Sequence, residues 1–243
     1  GDVASSFNIM ASQLESNINS HQRLLGDVSH ELRSPLTRLQ MALGLVEKYQ
    51  NNPEDQKRHL SRCEKEIDQL DAMLSDILTL SRLEHSAEKA YFTQLELYQL
   101  IALVIEDCQY LANAKQINIK LPVPQLIRIN ADEKLLSSAI GNIINNAVKY
   151  SPEGSEIDVA LNVSNDMIRL SVSDKGTGVP EETLPKIFKP FYRVADARDR
   201  NSGGTGLGLA ITYQAIDLHQ GSVFAKNNVN GGLTVHIELP LTQ

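Results

Sequence analysis

The chain has 243 residues, of which 42% are hydrophobic, and a formal net charge of −7 at pH 7. This length exceeds what one small domain needs, and the apolar fraction is sufficient for a buried core. The acidic balance and the lack of a dominant basic patch argue against non-specific nucleic-acid binding, so no nucleic-acid partner is expected. The two cysteines, Cys63 and Cys108, lack the spacing of a metal or redox motif, which favours buried thiols in a reducing compartment.

No uninterrupted apolar run reaches the roughly 18 residues that a transmembrane helix needs, and no signal peptide is visible. The chain begins inside a helical pattern formed by Phe7, Met10, Leu14 and Ile18. We therefore expect a longer protein that is attached to a membrane only through a segment upstream, while residues 1–243 by themselves are expected to be soluble.

Residues 5 to about 86 are predicted to form two long helices, separated at Asn51 and Asn52 and restarted by Pro53. Apolar residues recur in helical steps along both helices: Leu25, Val28, Leu32, Leu36, Leu39, Leu43 and Val46, then Leu60, Cys63, Ile67, Leu70, Leu74 and Ile77. A single hairpin cannot cover both stripes, which predicts a hairpin that dimerises into a four-helix bundle. Helices that only dimerise and perform no chemistry are the simpler interpretation of this periodicity alone.

The first helix carries a histidine beside a carboxylate, His30 and Glu31. His30 falls off the apolar stripe and is predicted to face solvent, and Ser34, four residues later, shares its face. Pro35 removes a backbone hydrogen bond and is predicted to bend the helix, which costs about 3 kcal/mol of helix stability. A tolerated kink without a role is the alternative.

The pattern changes in the polar stretch 84–90, which is predicted to be a linker. Strands are predicted at residues 117–121, 127–130, 156–163, 167–173, 222–225 and 233–239, and helices at residues 98–114, 132–149 and 207–219. Asp132 is suited to be a helix N-cap, and residues 162–166 are suited to a hairpin turn. This order predicts an α/β domain whose helices pack on one face of a sheet.

One face of the predicted helix after Asp132 carries Asn142 and Asn146, and Lys149 and Tyr150 close the helix. An amide oxygen can ligate Mg²⁺, and a lysine can meet a phosphate as a point charge. Surface asparagine is the alternative, although asparagine is a poor helix former and is crowded here.

Asp174, Gly176 and Gly178 directly follow a predicted strand. A carboxylate there can accept a hydrogen bond from an adenine amino group, and glycines let the backbone approach the base, although the segment alone could be a plain turn. Two phenylalanines lie in residues 188–193, before the polar stretch 196–202. Apolar anchors beside a charged loop predict a lid, or an ordinary surface loop.

A glycine-rich segment opens the last predicted helix: Gly204, Thr205, Gly206, Leu207 and Gly208. Its bare N–H groups and the helix dipole can hold phosphates. The segment does not follow a strand and lacks the Gly-Lys-Ser/Thr sequence, so it is neither a Rossmann fingerprint nor a P-loop. The lack of a downstream His-Arg-Asp motif excludes a Ser/Thr/Tyr kinase.

Together and in this order, these clusters closely resemble the motifs of the sensor histidine kinases of bacterial two-component systems, over essentially the whole chain. The matching motifs are the H box (His30, Glu31, Pro35), the N box (142–150), the two glycine boxes (174–178 and 204–208) and the F box (188–193). Residues 7–10 resemble the end of a HAMP signal-relay module. Residues 188–193 and 197–208 are similar to the Cpx-type envelope-stress branch of the family in particular.

The resemblance implies a HAMP or signalling-helix remnant at residues 1–18 and a dimerisation and histidine phosphotransfer domain at residues 19–86. It implies a catalytic ATP-binding domain at residues 87–243, with the Bergerat (GHKL) α/β sandwich. It also implies a homodimer, the cofactors ATP and Mg²⁺, and a full-length protein on the cytoplasmic face of the bacterial inner membrane.

By the same resemblance, the γ-phosphate of ATP passes to His30 and then to an aspartate of a response-regulator receiver domain, and Glu31 acts as general base or orients the imidazole. The other implied roles are Mg²⁺ ligation by Asn146 with Asn142 nearby, phosphate contact by Lys149, Gly206 and Gly208, packing near the base by Tyr150, adenine recognition by Asp174, and charge stabilisation by Arg193, Arg198 and Arg200.

Many members of the family carry Thr or Asn four residues after the histidine, where it orients the water that dephosphorylates the regulator. Ser34 keeps the hydroxyl but lacks the methyl that restricts the rotamer, so phosphatase activity is expected to be present and weaker. Two alternatives remain. One is another ATPase of the same superfamily, of the Hsp90 or DNA-repair type, which the H box and F box disfavour. The other is a degenerate dimeric adaptor, which the filled catalytic positions disfavour.

Overall fold

The structure is a computed structural model that describes the backbone of residues 2–85, 90–194 and 204–241. Side chains are described within these ranges except at residues 2–6, 8–25 and 84–85. The chain divides into two compact units, residues 1–74 and 75–243. The predicted linker 84–90 and the predicted lid 196–202 lie largely outside the described residues. Over the described residues, no helix has the length and apolar character needed to cross a bilayer.

The first unit is built on two helices, α1 (Asp2–Lys48) and α2 (Pro53–His85), the second of which continues into the second unit. The predicted break is confirmed, because α2 begins at the proline. The side chain of Asn52 accepts a hydrogen bond from the backbone N–H of Asp55 at 3.4 Å, which satisfies one free donor of the first turn. α1 is continuous through Pro35, and the predicted bend stays a prediction.

Within this unit the apolar stripes are only partly covered. Ala42, Cys63 and Met73 are buried, which confirms the prediction for the first cysteine. The apolar residues that stay about half exposed or more are Leu36, Met41 and Leu43 on α1 and Leu60, Ile67 and Leu74 on α2. Leaving large apolar side chains exposed to water is energetically unfavourable. This face is therefore suited to pack against another surface.

The described residues of the second unit form seven strands and three further helices. The strands are β1 (Thr93–Glu96), β2 (Asn118–Lys120), β3 (Arg128–Ala131), β4 (Glu156–Ser164), β5 (Met167–Ser173), β6 (Ser222–Asn227) and β7 (Leu233–Pro240). The helices are α3 (Leu97–Ala114), α4 (Glu133–Tyr150) and α5 (Gly208–Leu218), with a short 3₁₀ turn at Glu181–Thr183.

Five strands form one mixed sheet in the order β2-β4-β5-β7-β6, in which β2 runs parallel to β4 and the other pairs are antiparallel. Alternate residues of β4 and β5 are buried, and they join the helices α3, α4 and α5 in one hydrophobic core. This alternation is the pattern of a sheet with one covered face, which confirms the predicted α/β sandwich. Asn165 and Asp166 turn the β4–β5 hairpin with positive φ angles of 51° and 58°.

The pairing of β1 with β3 was not predicted. These two strands form a separate antiparallel pair in which Leu95 lies opposite Ile129. β1 has four residues, too few for an alternating pattern to stand out, and its partner lies beyond α3 in sequence.

Lys115 closes the far end of α4 from outside that helix. Its ammonium group donates to three backbone carbonyls, those of Val148 at 3.0 Å, Lys149 at 2.6 Å and Ser151 at 3.2 Å. The last carbonyls of a helix have no partner within it, and they carry the negative end of its dipole. A cation at this place both satisfies them and fixes where α4 ends.

Replacing Lys115 with Met keeps the aliphatic stem and leaves three half-buried carbonyls without their donor. We expect the free energy of unfolding to fall by about 2 kcal/mol, because hydrogen bonds to a charged group are worth about 1.5–3 kcal/mol. Urea titration measures this loss, and hydrogen exchange should show faster opening at the end of α4. Lys134→Met, at an exposed position of the same helix, is the control. Equal effects of the two substitutions would contradict this account.

Candidate functional site

The segment around His30 lies on α1 in the first unit. His30 is exposed, as predicted from its place off the apolar stripe, Glu31 is half-buried and Ser34 is exposed. The ring of His30 is therefore open to a reactant, with a carboxylate from the next residue and a hydroxyl one helical turn away.

Arg38, a residue not identified from the sequence, organises this segment. Its Nη1 donates to Ser34 Oγ at 2.8 Å, and its Nε donates to Glu66 Oε1 on α2 at 2.8 Å. Nη2 lies 3.5 Å from Gln69 Oε1, a further contact with α2. The hydrogen bond that Arg38 donates to Glu66 raises the pKa of Arg38, and the nearby charge of Glu31 adds to this. The signal that could have identified Arg38 is its four-residue spacing from Ser34.

In the second unit, Asp174 lies at the end of β5 and is 7% exposed. Its Oδ1 accepts hydrogen bonds from the backbone N–H groups of Gly176 at 2.8 Å and Leu233 at 3.1 Å. Burial raises the pKa of Asp174, and these two hydrogen bonds partly offset the rise. Oδ2 accepts no hydrogen bond from the described residues, so one oxygen is held by the protein and the other is left for a ligand.

Two asparagines at the end of β6 hold the loop that follows Asp174. Asn227 Oδ1 accepts from the N–H of Val179 at 2.9 Å, and its Nδ2 donates to Val179 O at 2.7 Å and to Glu181 Oε1 at 3.0 Å. Asn228 Nδ2 donates to Asp174 O at 3.2 Å. Sequence reasoning missed both residues, because nothing in the pattern of β6 indicates that it reaches this loop.

The glycines of this loop are required by close approaches. A Cβ at Gly176 would lie 2.7 Å from Tyr150 O, at the end of α4. Gly178 has a φ angle of +71°, and a Cβ there would lie 2.7 Å from Asn227 Oδ1. The loop therefore passes close to α4 and to β6, and both contacts exclude a side chain.

Asn142 and Asn146, one helical turn apart on α4, differ in what they contact. Asn142 Nδ2 donates to Gly208 O at 3.0 Å, and a Cβ at Gly208 would lie 3.2 Å from the Asn142 side chain. Asn142 thus ties α4 to the start of α5. Asn146 is half-buried and makes no hydrogen bond within the described part of the chain. Its amide oxygen remains available to a ligand.

The glycine-rich segment is held by its own backbone and by the F box. Gly206 has a φ angle of +72°, and its carbonyl accepts from the N–H of Phe191 at 2.9 Å. Thr205 Oγ1 accepts from the N–H of Leu207 at 3.2 Å, and the Leu207 side chain is fully buried. Gly204 is half-buried at the start of this segment. The two predicted segments, F box and glycine box, are thereby brought together.

Lys149 is the cation of this site. Burial, together with the smaller effects of the charges of Arg193 and Lys115, lowers its pKa to about 8. Its ammonium lies 5.0 Å from the centroid of the Tyr150 ring. Positive groups gathered in this way favour an anion. Two predicted members of this group, at positions 198 and 200, lie outside the described residues.

Among the described residues, no group of three or more His, Cys, Asp or Glu side chains could hold a metal ion. Zinc is usually held by three or four His, Cys, Asp or Glu side chains. An amide oxygen such as that of Asn146 suits Mg²⁺, which takes oxygen ligands from few protein groups, phosphates and waters.

Two family profiles match the chain. The family described as His Kinase A (phospho-acceptor) domain matches residues 20–86, and the one described as Histidine kinase-, DNA gyrase B-, and HSP90-like ATPase matches residues 131–243. The chain is 40% identical over 241 residues to the sensor histidine kinase CpxA of Escherichia coli (strain K12), which covers 98% of this chain and 51% of that protein. It is 28% identical over 243 residues to the histidine-protein kinase BaeS of the same strain.

The chain therefore spans about half the length of the curated relatives it matches. Among solved structures, it is similar to histidine kinase ThkA in complex with the response regulator protein TrrA, with a TM-score of 0.74 and 25% identity. That match covers 95% of this chain and 66% of ThkA. The histidine kinase AdeS of Acinetobacter baumannii, with a TM-score of 0.69 and 20% identity over 88% of this chain and 98% of that chain, shares the fold.

Gly154 and Gly178 both have positive φ angles, and substituting each in turn distinguishes the cost of backbone strain from that of a steric contact. Gly154, with a φ angle of +72°, has no atom within 4 Å of a Cβ, whereas a Cβ at Gly178 meets Asn227 Oδ1. We expect Gly154→Ala to lower the free energy of unfolding by about 1 kcal/mol. Gly178→Ala should lower it by about 2–3 kcal/mol, because Asn227 must also give up its hydrogen bonds. Thermal and urea unfolding measure both, and equal losses would show that the contact is unimportant.

Proposed function

Because this chain belongs to the family of sensor histidine kinases, we propose that it transfers the γ-phosphate of ATP to its own His30 and then to an aspartate of a response-regulator receiver domain. We further propose that it dephosphorylates that regulator. The observation that carries the proposal is an exposed His30 beside Glu31. Among the described residues of the other unit, Oδ2 of Asp174 and the amide of Asn146 make no hydrogen bond, and Lys149 and Arg193 bring two positive charges together.

Adenine recognition is assigned to Asp174. Its Oδ1 is occupied by two backbone N–H groups, so Oδ2 accepts from the exocyclic amino group of the base. The close approach of Gly176 and Gly178 to their neighbours leaves backbone rather than side chains around the base. Tyr150, which is 45% exposed, packs near it.

Phosphate binding is assigned to Lys149 and Arg193, with Arg198 and Arg200 added by the resemblance to the family. Burial first, and then the repulsion of Arg193, lower the pKa of Lys149, and a bound anion beside these cations offsets both effects. The N-terminus of α5, which follows Gly206 and begins at Gly208, offers N–H groups to the phosphates. Asn146 supplies an oxygen ligand for Mg²⁺, which when bound neutralises charge on the phosphates.

At His30, a neutral ring nitrogen attacks the γ-phosphorus, and the bond from phosphorus to the β–γ bridging oxygen breaks. ADP leaves with the bonding electron pair, and a phosphorus–nitrogen bond forms. Glu31, on the next residue, accepts the proton of the other ring nitrogen or holds it by a hydrogen bond, which stabilises the charge that the ring gains.

The half-exposed leucines and isoleucines of α1 and α2 support a second copy of this chain as the partner that completes a four-helix bundle. The regulator, whose aspartate takes the phosphoryl group from His30, is the second partner. We propose residues 1–18 as a signalling-helix remnant, residues 19–86 as the dimerisation and phosphotransfer domain, and residues 87–243 as the ATP-binding domain. The full-length protein is proposed to reach the inner membrane through a segment upstream, leaving these domains on the cytoplasmic face.

The direct test is incorporation of labelled phosphate from Mg·ATP. We expect label that is stable in base and labile in acid, lost in His30→Ala and reduced at least about 100-fold in Asn146→Ala because the metal-bound phosphates are no longer positioned. Asn145→Ala, at the exposed neighbouring position on α4, is the matched control and should retain the label. Tight ATP binding without label would favour a degenerate adaptor, and ATP hydrolysis without label another ATPase of the superfamily.

Nucleotide binding should take up a proton near pH 8. The free Lys149 has a pKa of about 8, and nearby phosphates raise it, so the bound state holds the proton to higher pH. ATP affinity should therefore be constant below pH 8 and fall as pH rises above it. Calorimetry in buffers of different ionisation heats measures the proton uptake. Lys149→Arg should abolish the uptake, and adenosine, which has no phosphates, should not show it. A pH-independent affinity up to about pH 9.5, beyond the free pKa, would contradict this assignment.

A further inference from the structure

Arg38 lies one helical turn after Ser34 and links it to the opposite helix. The guanidinium is planar, always protonated and has only donors, so each of its contacts uses a lone pair of the partner oxygen. Glu66 is the firm end of this link: its side chain is 19% exposed, against 40% for Arg38. Arg38 is therefore held from α2, and it in turn holds the oxygen of Ser34.

The hydrogen bond to Ser34 is not the usual state of a hydroxyl within a helix. Such a hydroxyl normally donates to the carbonyl one turn before, and Thr37 on the same helix does so, to Arg33 O at 2.9 Å. Ser34 makes no such bond within the described residues, and its oxygen is directed to Arg38 Nη1 instead. A serine oxygen has two lone pairs and one O–H. One lone pair is occupied by Arg38, and the other lone pair and the O–H remain for a water.

We propose that Arg38 is a positioning residue for dephosphorylation of the regulator, and that its hydrogen bond to Ser34 replaces the rotamer restraint that a threonine methyl would supply at this position. The inference rests on the phosphatase activity proposed above. A serine hydroxyl can occupy three staggered rotamers, and a charged donor fixed from α2 selects one of them.

In the reaction, the remaining lone pair of Ser34 accepts one O–H of a water and turns a lone pair of that water toward the aspartyl phosphorus. An oxygen–phosphorus bond forms as the bond from phosphorus to the aspartyl carboxylate oxygen breaks. The carboxylate leaves with the bonding pair, and a water proton passes to solvent or stays on inorganic phosphate. Ser34 orients the water, and Arg38 acts only through Ser34.

Arg38 lies close enough to Glu31 to interact with its charge, and it is therefore near His30 as well. A competing role for Arg38 is direct attraction of the negatively charged phosphoryl group. The two roles separate in a double-mutant cycle. If Arg38 only fixes the rotamer, a threonine at position 34 makes it dispensable. If Arg38 acts as a charge, its loss is felt equally with serine and with threonine.

The experiment compares the unchanged protein with Arg38→Met, Ser34→Thr and the double variant. The receiver domain is chosen from the regulators of the source cell as the one that accepts phosphate fastest from phosphorylated His30. It is then phosphorylated with acetyl phosphate and used as the substrate. We expect Arg38→Met to lower kcat for dephosphorylation about tenfold, from the loss of one charge-assisted hydrogen bond, with KM within about twofold. Ser34→Thr should leave kcat within about twofold, because Arg38 already holds the rotamer, and the double variant should stay within about twofold of Ser34→Thr.

Two further variants control for fold and charge. Arg62→Met removes an exposed arginine from the same hairpin and should leave the dephosphorylation rate unchanged. Glu66→Gln weakens the anchor of Arg38 while keeping its shape, and it should give a smaller loss that Ser34→Thr also rescues. This variant keeps the test decisive if Arg38→Met does not fold.

An equal loss in the serine and threonine backgrounds, or an unaltered rate in Arg38→Met, overturns the inference while the phosphatase activity stands. Absence of dephosphorylation by the unchanged protein, with His30 still labelled from ATP, overturns the proposed phosphatase function and this inference together. Rescue by Ser34→Thr in both the Arg38 and Glu66 backgrounds supports it.

Discussion

The burial of one face of α4 is the constraint on which the rest of the second unit depends. Ile140 and Ile144 are fully buried in the core beneath the sheet. Because a helix turns once every 3.6 residues or so, the burial of this face leaves Asn142, Asn146 and Lys149 as a row on another face. The hydrophobic effect thus sets the direction of the polar row before any polar contact is made, and the spacing of the row follows from helix geometry.

Polar contacts then fix both ends of this helix. At its start, Asp132 caps the N–H of Leu135 at 3.1 Å, and its own N–H donates to His219 Nε2 at 3.0 Å. The other nitrogen of that ring lies 2.6 Å from Ala215 O, so His219 ties the end of α5 to the start of α4. At the far end, Lys115 satisfies the last carbonyls. A helix restrained at both ends can hold the proposed metal ligand, Asn146, and the proposed phosphate ligand, Lys149, at reproducible positions.

Side-chain amides and one guanidinium hold segments in place elsewhere in both units. Asn142 contacts the backbone at the start of α5, and Asn227 contacts the backbone of the loop after β5. In the first unit, Arg38 holds the hydroxyl oxygen of Ser34 in a similar way. Two groups make no hydrogen bond among the described residues: Asn146, beside the bonded Asn142, and Oδ2 of Asp174, beside its bonded Oδ1. The chemistry assigned to the open groups depends on these restraints, because a ligand gains little from a group that must first be ordered.

The sequence by itself determined the elements whose signals are local. The break before Pro53, strand β5 at residues 167–173, the N-cap at Asp132 and the exposure of His30 all follow from periodicity or from one side chain acting on its neighbours. The motif clusters likewise followed from order and spacing along the chain. Only the tertiary structure decided which of two similar asparagines is engaged and which is open, because the partner of Asn142 lies 66 residues away.

The same reason applies to the other surprises. Four features depend on groups that are distant in sequence. They are the β1–β3 pair, the hydrogen bonds of Asn227 to the loop after β5, the hydrogen bond of Arg38 to Glu66, and the lowered pKa of Lys149. Burial and long-range hydrogen bonds are properties of the assembled core, and no local pattern carries them. Residue types and spacing therefore predict which chemistry is present, whereas packing decides which atom of each group is free to perform it.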